Sequence, residues 1–106
     1  MSGMLTFIED EKFTVAADRL LTANELFDLM LKLARAPDAG DIIPGSGGCR
    51  KLRFAAKGRG SRGGARVIYY YRSQIGQILL LEIYVKNEKE NLSASELKIL
   101  KGKVKP

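Results

Sequence analysis

The spacing of apolar positions divides the chain into short segments of two different periods. Met4 to Ile8 (MLTFI) is a brief apolar run that predicts a first strand. From Glu9 to Leu20, Phe13, Val15, Ala16 and Leu20 recur at roughly helical spacing among acidic residues, which predicts a first helix. The second helix is more sharply bounded. Thr22-Ala23-Asn24-Glu25 reads as a capping box, Leu21 and Leu26 supply the hydrophobic staple, and Pro37 ends the segment. Glu25, Asp28, Lys32 and Arg35 share one face of it, leaving a wide apolar surface of Leu26, Phe27, Leu29, Met30, Leu31, Leu33 and Ala34. That width allows two readings, plain core or core with a flank free for a partner protein.

After a glycine- and proline-rich loop at residues 37–48, the period changes to two. Lys51-Leu52-Arg53-Phe54 alternates charged and apolar positions, and Val67-Ile68-Tyr69-Tyr70-Tyr71, bracketed by Arg66 and Arg72, is β-branched and aromatic; both predict strands. Ser73-Gln74-Ile75-Gly76 predicts a turn, and Ile78 to Lys86 (ILLLEIYVK) a central strand. Period two places Leu79, Leu81, Ile83 and Val85 on one face, with Glu82, Tyr84 and Lys86 on the other. Ser93-Ala94-Ser95-Glu96, with Leu92 and Leu97 as its staple, opens a last helix that runs into the basic tail from Lys101. The expected order is β-α-α-β-β-β-α, an α+β fold with an antiparallel sheet. Helices are expected to pack on one face, with Lys51, Arg53, Arg66, Tyr84 and Lys86 emerging as a basic concave surface on the opposite face.

Composition changes this picture mainly through the placement of charge. The 106 residues suit one domain, 1–106, and 45% hydrophobic content is ordinary for a folded protein. The net charge of +6 conceals a polarity. Residues 1–41 carry eight acidic and four basic side chains, whereas Gly45 to Arg72 carries eight basic and no acidic ones. A positive field concentrated in this way attracts a polyanion, most commonly RNA or DNA. Between the two strands, Lys57-Gly58-Arg59-Gly60-Ser61-Arg62-Gly63-Gly64 contains no apolar residue, and predicts a loop that offers Lys57, Arg59 and Arg62 to a ligand. Its literal G-x-G-x-x-G is not a dinucleotide fingerprint, because a strand follows it where that fold requires a helix.

The lone cysteine, Cys49, and the absence of a leader-like or membrane-spanning apolar stretch point to the cytoplasm. With no histidine and one cysteine, most transition-metal sites and the imidazole pair of many ribonucleases are unavailable, and no cofactor or metal is expected. Phosphodiester chemistry would then rest on arginine, whose planar fork fits phosphate oxygens, and on lysine as proton carrier. Lys51, Lys57 and Lys86 are the candidate lysines, and Tyr84 is a candidate proton donor or a platform for stacking a base. Such a surface fits a nucleic-acid binder as well as a nuclease.

The run GSGGCRKLRFAAKGRGSRGGARVIYYY followed by LLLEIYVKNEKENLS resembles the RelE/ParE toxin superfamily, and within it the HigB-like branch. The likeness extends from about Pro37 to Leu97. It implies a toxin of a bacterial type II toxin–antitoxin module, a ribosome-dependent endoribonuclease that cuts mRNA in the ribosomal A site and so inhibits translation. It also implies the family fold, two N-terminal helices beside an antiparallel sheet and then a C-terminal helix. Lys51 and Arg53 fall where RelE-type toxins hold basic residues on the strand after the helices. Arg66 falls where they hold the arginine that opens the next strand, and Lys86 lies in the basic segment after the last one. Lys57, Arg59 and Arg62 match the HigB-like basic loop.

On that resemblance Lys51, Arg53, Lys57, Arg66, Tyr84 and Lys86 form the expected catalytic set, and Arg50, Lys57, Arg59, Arg62 and Arg72 contact RNA or ribosome. The expected partners are a cognate antitoxin, a HigA-like helix-turn-helix protein, and the ribosome with its mRNA and rRNA, with no membrane. The chain departs from some relatives in having no tyrosine in Asn87–Leu92 and no histidine anywhere. The rival readings are a ParE-like gyrase inhibitor and a non-catalytic RNA-binding module.

Overall fold

The computed structural model describes residues 5–56, 64–89 and 91–105. In chain order they form β1 (Thr6–Glu9), α1 (Glu11–Leu20), α2 (Ala23–Arg35), β2 (Asp41–Ile42), β3 (Arg50–Phe54), β4 (Ala65–Arg72), β5 (Gln77–Val85) and α3 (Ala94–Lys103). The strands make one sheet in the order β1-β5-β4-β3-β2. β2 to β5 form an antiparallel meander, and β1 lies parallel to β5, Thr6 opposite Gln77. The α+β class and the expected order stand, with one addition. The two-residue β2 sits inside the segment expected to be pure loop and pairs Asp41 with Lys51.

The helix starts follow from local chemistry. Asp10 caps α1 by accepting a hydrogen bond from the Lys12 N–H at 3.0 Å. Both expected capping boxes are present, Thr22 with Glu25 at α2 and Ser93 with Glu96 at α3. On α1, Phe13, Ala17 and Leu20 are buried, and on α2, Leu29 and Leu33. They pack on Leu52, Phe54, Val67, Tyr69, Ile78, Leu80, Ile83 and Val85 of the sheet. The wide apolar surface of α2 is thus divided: Leu26, Leu29 and Leu33 join the core, while Phe27 stays 61% exposed and Leu31 also remains at the surface.

Two expectations about the sheet faces are corrected. Helices do not all lie on one side. α1 and α2 cover one face, and α3 covers the other, where Leu100 and Val104 pack with Cys49, Ile68, Leu81 and Tyr84. The strict alternation along β5 also fails. Ile68 pairs with Glu82 but Tyr69 pairs with Leu80, so a bulge leaves Leu81 without a partner. Beyond it the parity reverses. Leu79 and Leu81 lie on the α3 side, whereas Ile83 and Val85 lie on the α1/α2 side.

The loops that carry the strands are tied by side chains. The Tyr69 hydroxyl donates to the Pro37 carbonyl and accepts from the Gly40 N–H, each at 2.8 Å, closing the turn after α2. A side chain at Gly40 would meet that ring at 2.9 Å and the Lys51 carbonyl at 3.0 Å. Buried Ser46 closes the next turn, donating to the Ile43 carbonyl at 2.6 Å and accepting from the Cys49 N–H at 3.0 Å. Together these bonds fix where β3 begins.

Candidate nucleic-acid interface

The antiparallel register brings the expected basic residues into one row. Arg53 on β3 stands directly opposite Arg66 on β4, and Arg66 opposite Tyr84 on β5. Because Leu52 and Phe54 face α1 and α2, period two sends Lys51 and Arg53 to the other side of the sheet. Arg53 is exposed, while Lys51 and Arg66 are half-buried. Among the described residues no carboxylate forms a salt bridge with any of these three, although Asp41 stands opposite Lys51 across β2 and β3. Two arginines facing each other across a strand pair repel unless an anion sits between or above them. That arrangement can clamp a phosphate, with Lys51 two residues away on the same face.

The other expected residues divide. Lys86 is exposed in the turn just after β5. Lys57, Arg59 and Arg62 lie outside the described residues. Arg72 is six residues from Arg66 along β4, about 20 Å by strand geometry, and its guanidinium lies 5.2 Å from the centre of the Tyr70 ring. Arg50 points to the α1/α2 side and donates to the carbonyls of Asp38 at 3.2 Å and Gly40 at 2.8 Å. These bonds give Arg50 a place in holding the loop, away from the row of Arg53 and Arg66.

Tyr84 is in the row but not on an open surface. Its side of the sheet lies under α3 and the segment leading to it, it is 3% exposed, and the Lys89 ammonium lies 4.9 Å from the centre of its ring. The ring is therefore unavailable as a stacking platform in this arrangement. Burial pushes the Tyr84 hydroxyl above its ordinary pKa, and that hydroxyl has no hydrogen-bond partner among the described residues.

Sequence reasoning missed the group that covers Tyr84. Lys89 binds buried Glu82 at 2.6 Å and also binds Glu96, while Lys12 reaches Glu82 from α1 at 3.5 Å. Burial alone would lower the Lys89 ammonium, but the hydrogen bonds to Glu82 and Glu96 outweigh it and raise its pKa. The hydrogen bond from Lys89, helped by the Ser93 N–H, draws Glu96 down to about 2. The available signal was Glu82 itself, a lone acid within an apolar strand, which requires a cation nearby.

Beside the basic row, between β2 and the start of α3, lies a cleft of about 230 Å³ to which Lys51 also contributes. No helix among the described residues is long and apolar enough to cross a membrane. No group of histidine, cysteine and carboxylate among them could hold a metal.

No protein-family model matches the chain. Solved structures do. A double arginine-to-alanine mutant of the E. coli toxin RelE in the free state superposes with a TM-score of 0.60 at 15% identity, covering 95% of this chain and 97% of that one. A chain of the intact E. coli RelBE toxin–antitoxin complex superposes at 0.58 with 14% identity, over 76% of this chain and 95% of that one. The chain therefore has the RelE fold.

Proposed function

We propose that this protein is the toxin of a bacterial type II toxin–antitoxin module and acts as a ribosome-dependent mRNA endonuclease of the RelE/ParE superfamily. The observation that carries the reading is the pairing of Arg53 with Arg66 across β3 and β4, beside Lys51 and without a salt bridge to a carboxylate among the described residues, on a RelE fold. Arg53 and Arg66 hold the scissile phosphate and spread the charge that builds on it as the RNA 2′-hydroxyl attacks. Proton transfer falls to Lys51 or Lys86, with Lys57 as the third lysine of the set. Tyr84, buried and held protonated, stands beside Arg66 on the neighbouring strand.

A site with no imidazole has weak intrinsic general-base power. Binding within the ribosomal A site supplies the positioning that such chemistry needs. Arg72 adds positive charge on β4 for RNA backbone, and Arg59 and Arg62, which lie outside the described residues, are further proposed RNA contacts. The cytoplasm is where this activity belongs, and a HigA-like helix-turn-helix antitoxin is the partner that restrains it. The RelBE match supports an antitoxin partner, since that complex pairs a toxin with its antitoxin.

The test is cleavage of a defined mRNA in a purified translation system, read by primer extension with and without ribosomes. Cuts within A-site codons that require ribosomes are the expected result, and Arg66→Ala should reduce them by about 10²–10³-fold, the usual cost of one transition-state donor. Growth arrest with message and translation both intact would reject the nuclease reading in favour of a gyrase poison. Retained RNA affinity with no cleavage would leave only an RNA-binding module.

A further inference from the structure

We infer that Lys89 is a positioning residue for the phosphate site: by holding the Glu82 carboxylate it keeps Arg66 available to the anion. The inference rests on the RNA-cleaving reading above and adds a residue that itself touches neither the phosphate nor the reacting atoms.

Glu82 is buried on β5, on the sheet face that carries Arg66. The register there is regular, with Arg66 opposite Tyr84 and Ile68 opposite Glu82. Arg66 and Glu82 are therefore diagonal neighbours on one face, about 7–8 Å apart at the backbone, a gap that a long side chain spans. A buried carboxylate requires a cation, and the planar fork of an arginine fits it best. Left to the two strands alone, Glu82 would draw Arg66 sideways into an ion pair. A phosphate could then bind Arg66 only by breaking that pair.

Two lysines satisfy Glu82 instead. Lys12 reaches one carboxylate oxygen at 3.5 Å, and Lys89 takes the other at 2.6 Å. Lys12 begins the helix that β1 leads into, and β1 and β4 flank β5 on opposite sides. Lys89 is the one that stands in the way. Its ammonium lies 4.9 Å from the centre of the Tyr84 ring, and Tyr84 is the residue directly opposite Arg66. A guanidinium moving from the row to Glu82 would cross that ring and meet a like charge. Lys89 is itself held. Glu96, fixed by the capping box with Ser93, binds the same ammonium, and the adjacent Glu88 binds Arg19 of α1 at 2.9 Å. The turn after β5 is thus anchored to helices on both faces of the sheet.

The experiment compares the wild type with Lys89→Met, the milder Lys89→Gln, Lys89→Arg, and Glu82→Gln combined with Lys89→Met, each first shown by thermal unfolding to be folded at the assay temperature. Two readouts are taken: the Arg66 Nε–Hε NMR signal during titration with inorganic phosphate, and ribosome-dependent cleavage of a defined mRNA. In Lys89→Met the Arg66 signal should be displaced before phosphate is added. Phosphate affinity and cleavage should both fall about tenfold, the worth of a charge-assisted hydrogen bond that phosphate must displace. Lys89→Gln should show the same change to a smaller degree. Lys89→Arg should keep both readouts near wild type, and adding Glu82→Gln to Lys89→Met should restore them. A folded Lys89→Met that binds phosphate at Arg66 and cleaves as the wild type does would overturn the inference, as would a loss that Glu82→Gln fails to repair. A wild type whose Arg66 signal ignores phosphate and which leaves mRNA intact would reject the phosphate site itself, and the inference with it.

Discussion

The two faces of the sheet solve different problems. The α1/α2 face is sealed with apolar side chains from Phe13 on the first helix to Val85 on the last strand. The α3 face is only half sealed. Cys49, Ile68, Leu81 and Tyr84 lie under Leu100 and Val104, and Lys51, Arg53 and Arg66 occupy the rest. Stability is concentrated on the first face by burial of apolar area, and charge is concentrated on the second, where Arg53 and Arg66 form no salt bridge among the described residues. Even the acid that enters the second region, Glu82, is neutralised by Lys12 and Lys89 before it can reach the arginines.

That division can be broken most strongly on the sealed face. Phe13 is fully buried, so Phe13→Ala should cost about 3–5 kcal/mol in urea unfolding. A loss under about 1 kcal/mol would mean the first face is not the close-packed one. Lys89→Ala comes next. It leaves Glu82 buried with only the more distant Lys12, and should cost less than the ~3–5 kcal/mol of a fully broken buried pair, while uncovering the Tyr84 ring to quenchers of its fluorescence. Unchanged quenching would show that Lys89 does not shield the ring.

A smaller effect is expected where the sealed face anchors a loop. Tyr69→Phe removes both hydrogen bonds of the hydroxyl and leaves the Pro37 carbonyl and Gly40 N–H unpaired. The cost should be about 1–3 kcal/mol, seen by thermal unfolding together with faster amide exchange at Gly40. Wild-type exchange at Gly40 in the variant would remove the hydroxyl from that role.

The smallest effect is a pH dependence of the α3 side. The Glu96 carboxyl is held at about 2, below its ordinary 4.5. Because the folded value is the lower one, its contribution is complete above about pH 4.5 and is lost as pH falls through about 2. Glu96→Gln should flatten that part of an acid-unfolding profile followed at Tyr84. A profile unchanged by the substitution would detach Glu96 from the docking of α3.

Much of the frame was legible because it is local. Thr22 with Glu25 and Ser93 with Glu96 announce two helix starts within four residues each, and Leu52 and Phe54 alternate with Lys51 and Arg53 as a strand with two unlike faces must. That Arg53 and Arg66 share a face was expected from the alternation, whereas their standing directly opposite each other is set by the register of β3 on β4. Asp41 and Ile42 gave no comparable signal, since a two-residue strand has no period and exists only because β3 is there to pair with it.

The sequence by itself determined the caps of α2 and α3, the three long strands, the concentration of positive charge between Gly45 and Arg72, and the side of β3 from which Lys51 and Arg53 project. Each of these depends on neighbours within a few residues. Only the tertiary structure decided that β5 changes parity at Leu81, that Arg50 serves a loop, and that Lys89 closes over Tyr84. In a strand apolar on both faces a bulge leaves no mark in the pattern, because either face would accept either set of side chains. Arg50 and Lys89 take their roles from distant carbonyls and carboxylates, and those partners arrive only when the sheet and α3 have assembled.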